Sequence, residues 1–264
     1  MVQSFNRRDA LALGIAGVAA LNFRESKAAV TAKPRNFVLV HGGWHGGWCW
    51  RRVADRLRQR GHIVFTPTLT GLGERSHLLN AGIGLETHIK DVVNVLHWES
   101  LDDIVLVGHS YAGCVISGVA EHSAAIGSIV FLDAFFPENG EALADLASQG
   151  VRDAIKAASA RGEIGLQPLP ASSFKLNEPD RAWVDAKCTA QPMRTFLDKV
   201  VMTGARERIA RKIYIRATSY PSVAFDTAYS RVRMNPSWRT HEIAAGHDAM
   251  IDAPDQLVEI LLAA

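Results

Sequence analysis

The sequence predicts an α/β protein, a mostly parallel sheet flanked by helices, and three observations carry that reading. Short runs of β-branched and aliphatic residues recur along the chain with helical segments between them. A loop with four glycines follows the first run, and a serine stands in the turn between a later run and its helix. Strand, helix, strand, helix, strand at this spacing implies parallel pairing with right-handed crossovers.

After Pro34, Phe37 to Val40 is a compact apolar strand that enters the glycine loop His41-Gly42-Gly43-Trp44-His45-Gly46-Gly47-Trp48. So many glycines mean that the backbone approaches something closely or takes positive φ. Trp48 to Arg60 reads as an amphipathic helix with Trp50, Val53 and Leu57 on one face and Gly61 as its C-terminal cap. His62 to Phe65 is the next strand, Thr68 to Asn80 an irregular loop, and Leu85 to His97 a helix with Ile89, Val92, Val93 and Leu96 at helical period. Ile104 to Val107 is fit for a buried strand, and Tyr111 to Glu121 switches to small and apolar residues at helical spacing. Ser110 is thereby held in a sharp turn, with Gly108 and Ala112 as the small residues on either side. Ile129 to Leu132 is a further strand, ending at Asp133.

From Pro137 to about Ala205 strand signals vanish, and the composition turns helical, with a break at Gly165 to Pro170. Interrupting the sheet after the Asp133 strand, this stretch is expected to be a cap that roofs an apolar pocket. Lys212 to Arg216 resumes the sheet, Trp238 to Ile243 adds a strand, and Gln256 to Leu262 closes the chain with a helix after Pro254.

At 264 residues and 48% hydrophobic content, the chain can bury a sizeable core and reads as one domain over 33–264, with the cap at about 137–205. Its net charge of +2 is accounted for by Arg7, Arg8, Arg24 and Lys27 against Asp9 and Glu25. The remaining body is nearly neutral and offers no electrostatic footprint for nucleic acid or an anionic membrane. Three scattered cysteines make neither a disulfide framework nor a zinc pattern.

Residues 1–32 read as an export signal rather than as fold. Arg7-Arg8 precede the apolar run Ala10 to Leu21, too short to span a bilayer, and small residues follow in Ser26-Lys27-Ala28 and Val30-Thr31-Ala32. The order is similar to a twin-arginine leader and predicts a periplasmic protein; the alternative is a frayed extension on a cytoplasmic one. Nothing in the chain fixes its oligomeric state, and a homodimer stays open.

A serine hydroxyl needs a neighbouring base to become a nucleophile at neutral pH. His247, in the loop between the last strand and the last helix, is the candidate, because such C-terminal loops converge at one edge of the sheet. His109 is expected to point away within the turn and His41 to orient the glycine loop. Two aspartates compete to fix the tautomer of His247: Asp133, at the end of the strand beside that of Ser110, and Asp226, which falls in a helix. Strand order favours Asp133. The oxyanion formed on attack requires amide donors; Tyr111 supplies one, Gly43 is the expected second, and Trp44 is the adjacent alternative. No cofactor or metal is required. His41 and His45 have a helical metal-ligand spacing, but the glycines forbid a helix there.

With these residues in view, the chain resembles the α/β-hydrolase superfamily, within it the plant-type esterase and hydroxynitrile lyase group with its bacterial esterase relatives. The matching stretches run from Phe37 to Trp48, from Gly108 to Gly113 and from Gly246 to Met250, spread over nearly all the chain after the leader. The resemblance implies an α/β-hydrolase fold, a helical cap inserted after the Asp133 strand, and a Ser-His-Asp mechanism through an acyl-enzyme. Lyases of the group carry threonine where Gly42 stands and lysine where Asp248 stands, so it implies hydrolysis of a small-molecule ester over cyanohydrin cleavage. An acid is also missing after the Lys212 to Arg216 strand, as in hydrolases that keep theirs one strand earlier. The expectation is a carboxylesterase of uncharged, apolar esters. A hydroxynitrile lyase-type C–C lyase on the same site, or a ligand-binding hydrolase-fold protein without catalysis, are the alternatives.

Overall fold

The computed structural model describes residues 33–264; the predicted leader over 1–32 lies outside the described residues. Six strands form one sheet: β1 (Asn36–Val40), β2 (Ile63–Phe65), β3 (Ile104–His109), β4 (Ile126–Leu132), β7 (Arg211–Ala217) and β8 (Trp238–Ile243). Their order is β2-β1-β3-β4-β7-β8, and every pairing is parallel. The helices outside the cap are α1 (Arg51–Gln59), α2 (Leu85–Trp98), α3 (Ala112–Val119), α9 (Val223–Arg233), α10 (Ala249–Asp252) and α11 (Pro254–Leu262).

Successive strand residues face opposite sides of a sheet, and here both sides are apolar because helices cover both. Val38, Val40, Leu106, Ile129 and Phe131 pack with Ile89 and Val92 of α2 and Val115 and Ile116 of α3. Phe37, Leu39, Val105, Val107, Val130 and Leu132 pack with Val53 and Leu57 of α1 and Leu257, Val258 and Leu261 of α11. All six residues of β3 are buried, and each of its large aliphatic side chains stabilises the fold by about 1.5–3 kcal/mol. The strand that delivers Ser110 is therefore buried along its whole length.

Some elements differ from the sequence reading for local reasons. The helix expected from Trp48 starts as a 3-10 turn over Gly47–Trp50, since the glycines before it give no α-helical preference. β4 begins at Ile126 rather than Ile129, because Gly127 and Ser128 interrupt the apolar pattern; Gly127 is skipped in the pairing with β3, and Ser128 takes up the register opposite Val105. Ser128 is buried yet satisfied, accepting a hydrogen bond from Arg211 Nε at 2.6 Å.

Between β4 and β7 lie α4 (Leu143–Leu146), α5 (Gln149–Ala160), α6 (Glu178–Lys187), α7 (Arg194–Leu197) and α8 (Ala205–Arg208). The stretch expected to lack strands holds two: β5 (Gly165–Leu166) and β6 (Gln191–Pro192) pair antiparallel as a separate ribbon. Gly165 to Pro170, read from the sequence as a break, thus supplies one edge of that ribbon.

Candidate active site

Ser110 sits where β3 turns into α3, with φ at 54°, a left-handed conformation that non-glycine residues adopt only when held there. Its amide donates to Leu132 O at 3.2 Å, and its carbonyl accepts from Gly113 N at 3.0 Å and Phe135 N at 3.1 Å. The tightest steric demand falls one residue beyond Ala112. A Cβ on Gly113 would lie 1.9 Å from Phe135 O, so the turn can seat against the chain that follows β4 only with glycine there.

The structure brings Ser110, His247 and Asp133 into one hydrogen-bonded chain. His247 Nδ1 lies 2.6 Å from Asp133 Oδ2 and its Nε2 lies 2.8 Å from Ser110 Oγ. A carboxylate only accepts, so Nδ1 carries the proton, and Nε2 is left bare to receive the serine O–H. Asp133 is wholly buried and His247 nearly so. The imidazole packs against the rings of both Tyr220 and Phe225, with centroids at 4.6 and 5.2 Å, which restrains its plane.

Asp226 does not reach His247. It lies on α9, exposed, and accepts from Arg216 Nε at 2.9 Å. Arg216 was not singled out by the sequence reading, yet it links both aspartates: its Nη1 donates to Asp133 Oδ1 at 2.6 Å and to Ala217 O at 2.6 Å. Ala217 N donates to the same Asp133 oxygen at 3.1 Å. Burial opposes the guanidinium charge, but Asp133 and Asp226 more than offset it and raise the affinity of Arg216 for its proton.

Gly43 and Tyr111 meet at the cavity floor beside Ser110: a Cβ on Gly43 would lie 3.9 Å from Tyr111 Cβ, and all three residues line one cavity. No other described residue hydrogen-bonds either backbone amide. Trp44, the adjacent alternative, is placed otherwise. Its φ is 64°, and its amide donates to Gln191 Oε1 at 3.0 Å, so it is not free for an oxyanion. Gln191 is itself buried and donates to Thr195 Oγ1 at 2.7 Å. The hydroxyl of Tyr111 is tied to His88 Nδ1 at 2.9 Å.

His41 bridges Gly42 O at 2.8 Å and Leu69 N at 3.0 Å, orienting the glycine loop. Burial lowers its proton affinity to a pKa of about 3, so the ring is neutral. His109 does not simply turn away. Its ring lies 4.5 Å from that of His247 and its Nε2 donates to His247 O at 3.0 Å, so it supports the base loop from below. Asp248, directly after His247, is fully buried, with Oδ2 at 3.3 Å from His45 Nε2. Burial would push its carboxyl up, but the charge and hydrogen bond of His45 hold it well below the usual carboxylate range. Burial likewise works against charge on His45, and Asp248 overcomes it and raises that histidine. Gly42 leaves no room for the threonine found in the lyases, since a Cβ there would meet His109 Nδ1 at 2.8 Å and Ser110 Cβ at 2.9 Å. Among the described residues no three His, Cys, Asp or Glu side chains cluster to hold a metal, and no helix is long and apolar enough to cross a membrane.

The cavity above Ser110 measures about 770 Å³. Phe135, Phe225 and Tyr220 line it, together with Leu143, Leu146, Phe174 and Phe196 from the segment between β4 and β7. Arg152, Arg231 and Asp145 stand at its lining, and Arg231 is paired with Glu138 at 2.6 Å.

A serine on the turn after a central strand of a parallel sheet, hydrogen-bonded to a histidine from the last strand-to-helix loop, defines the class as a hydrolase of α/β architecture. Comparison with known proteins agrees, and the chain belongs to the alpha/beta hydrolase family, whose model matches residues 37–260. A carbendazim hydrolyzing esterase of Nocardioides sp. (strain SG-4G) is 41% identical over 238 residues, covering 86% of this chain and 98% of the relative. A putative chloroplastic methylesterase 11 of Arabidopsis thaliana is 24% identical over 245 residues, covering 86% of this chain and 63% of that longer protein. Among solved structures, an extracellular alpha/beta-hydrolase from a Paenibacillus species matches with a TM-score of 0.76 and 25% identity. That match covers 88% of this chain and 99% of the other, which is described as sharing structural and functional homology with tobacco salicylic acid binding protein 2. Relatives of this kind make the chain a carboxylic ester hydrolase.

Proposed function

We propose that the chain is a serine carboxylesterase that splits uncharged esters bearing apolar groups through an acyl-enzyme. Ser110 Oγ attacks the ester carbonyl carbon as its proton passes to His247 Nε2, and the new oxyanion takes hydrogen bonds from the amides of Gly43 and Tyr111. Asp133 orients the ring and balances the imidazolium charge. The C–O bond to the alcohol then breaks, and the departing alkoxide takes the proton from His247. Water attacks the acyl-serine ester, giving its proton to His247; collapse of that second intermediate frees the acid and returns the proton to Ser110. The observation that carries this reading is the unbroken chain from Ser110 Oγ to His247 at 2.8 Å and on to Asp133 at 2.6 Å. The aromatic and aliphatic walls of the cavity support an apolar ester, because burial of its carbon surface supplies the binding energy.

A panel of p-nitrophenyl esters of graded acyl size, with carbendazim alongside, tests both parts. The expected result is a burst of p-nitrophenol approaching one per chain, absent in Ser110→Ala, and higher kcat/KM for uncharged than for carboxylate-bearing acyl groups. Ester turnover that survives Ser110→Ala would overturn the mechanism. Aldehyde release from cyanohydrins without ester hydrolysis would favour the lyase.

The segment 1–32 is proposed to be a leader for export in the folded state, supported by Arg7-Arg8 ahead of the apolar run and by the extracellular relative. A reporter fused to it should reach the periplasm, and a reporter retained in the cytoplasm would contradict the proposal.

A further inference from the structure

Beneath the loop that carries Gly43, two histidines hold two successive carbonyls. His41 Nδ1–H donates to Gly42 O at 2.8 Å, and His45 Nδ1–H donates to Gly43 O at 2.7 Å. In a trans peptide the C=O and the following N–H point in opposite directions. Fixing the Gly42 carbonyl therefore aims the amide of Gly43, and fixing the Gly43 carbonyl aims that of Trp44 at Gln191. The oxyanion loop is set from behind, by side chains that never touch substrate.

The two rings differ at their second nitrogen. His41 Nε2 meets a donor, Leu69 N–H at 3.0 Å, so a neutral ring satisfies both of its contacts. His45 Nε2 meets a carboxylate oxygen, Asp248 Oδ2 at 3.3 Å, so both nitrogens of His45 face acceptors. A neutral imidazole has only one N–H and cannot serve both. The ring is 1% exposed and Asp248 wholly buried, so bulk solvent does not fill the gap. On its other side Asp248 Oδ1 lies 3.8 Å from His109 Nε2, beyond hydrogen-bond range, because that N–H is given to His247 O. His247 also lies toward Asp248, His41 toward His45, and the Cys49 and Cys188 thiols and Asp252 lie behind the pair.

We propose that His45 is a buried imidazolium paired with the Asp248 carboxylate, and that this pair is a positioning device joining the loop of the oxyanion donor to the loop of the base. The partners are 203 positions apart in sequence, and each adjoins a group of the proposed mechanism: His45 holds the carbonyl of Gly43, the residue whose own amide faces the oxyanion, and Asp248 follows His247 directly. Fixing both loops to one buried contact keeps the Gly43 amide and the His247 ring in register as the charge on the carbonyl oxygen develops. The inference rests on the oxyanion role proposed for Gly43. It also gives Asp248 a purpose at the position where the lyases carry lysine.

The test is long-range proton–nitrogen NMR of the histidine rings in the full chain, with steady-state kinetics of Asp248→Asn on p-nitrophenyl acetate. Asparagine keeps the shape and can donate to a neutral His45 but removes the charge. The expected result is that both His45 nitrogens carry protons in the wild type above the ordinary histidine range. In Asp248→Asn only one should remain, with kcat lower by about tenfold or more and KM within about twofold. A singly protonated His45 in the wild type overturns the proposal, and this spectrum decides even if the variant fails to fold. Unchanged kcat in a folded Asp248→Asn also overturns it. Ser110→Ala separates the two levels: if it abolishes ester turnover while Asp248→Asn is silent, the pair has no such role but the serine mechanism stands; if it does not, the mechanism itself falls.

Discussion

At the residue scale, Arg216 decides between the two carboxylates open to His247. Asp133 is buried and gives one oxygen to His247 and the other to Arg216 and Ala217 N, so its lone pairs are satisfied and its position is fixed. Asp226 has a side chain 64% exposed and reaches only the far side of the guanidinium. Asp133→Asn should lower kcat by about 10⁴, because an amide in that place favours the wrong tautomer of the base. Asp226→Asn should leave kcat within about a factor of five, as expected for a surface ion pair. Turnover on a p-nitrophenyl ester at matched thermal midpoints checks both, and full activity in Asp133→Asn would contradict the assignment. Ser110 and His247 were legible in the sequence because each sits in a short local pattern, and Asp133 because strand order alone places it beside the serine turn. Arg216 was not legible, since its partner Asp133 lies 83 positions away. The pairing of His45 with Asp248 was hidden for the same reason, each residue being unremarkable within its own loop. Trp44 was a near miss: nothing local foretells that Gln191 takes its amide.

At the scale of elements, the decisive feature is how β7 ends. Where many hydrolases of this architecture place an acid just beyond this strand, β7 carries Arg216 in its last turn of sheet and reaches back to β4. Arg216 also donates to Tyr220 O at 2.6 Å, so one side chain organises the strand end, the loop after it and the start of α9. Arg216→Met should destabilise the fold by about 3–5 kcal/mol, because Asp133 would keep its charge and lose a buried partner. Urea denaturation measures this, and an unchanged midpoint would mean that the network adds nothing to folding. The parallel strands were readable because both faces of the sheet are covered, which yields continuous apolar runs. The ribbon of β5 and β6 was not, because two-residue strands are too short to express a period and are fixed by tertiary contact instead. Gln191, which occupies Trp44, stands on that ribbon.

At the scale of the whole molecule, stability depends on histidines buried without charge. Burial lowers His41 to about 3 and His88 to about 4 from an ordinary 6.5, and burial also pushes His109 down. Each binds its proton more weakly when folded than when unfolded. Their contribution is complete above 6.5 and is lost as pH falls from there, at up to about 1.4 kcal/mol per unit for each histidine. Asp248, held below its ordinary 3.8, adds a further loss only below that value. His45 is shifted up, so its contribution is complete below 6.5 and fades as pH rises through its folded value. The denaturation midpoint should therefore peak near 6.5 and fall steeply toward 4; a flat profile over that interval would mean the buried histidines are not neutral. The proposed catalysis rests on Ser110, His247 and Asp133, far apart along the chain, acting as one unit on an ester. Its most direct test is peptide mapping by mass spectrometry after titration with an organophosphate. The expected outcome is a single phosphoryl adduct on Ser110, formed in step with the loss of esterase activity and absent in His247→Ala. Full adduct formation with activity intact, or activity lost through labelling of another residue, would contradict it.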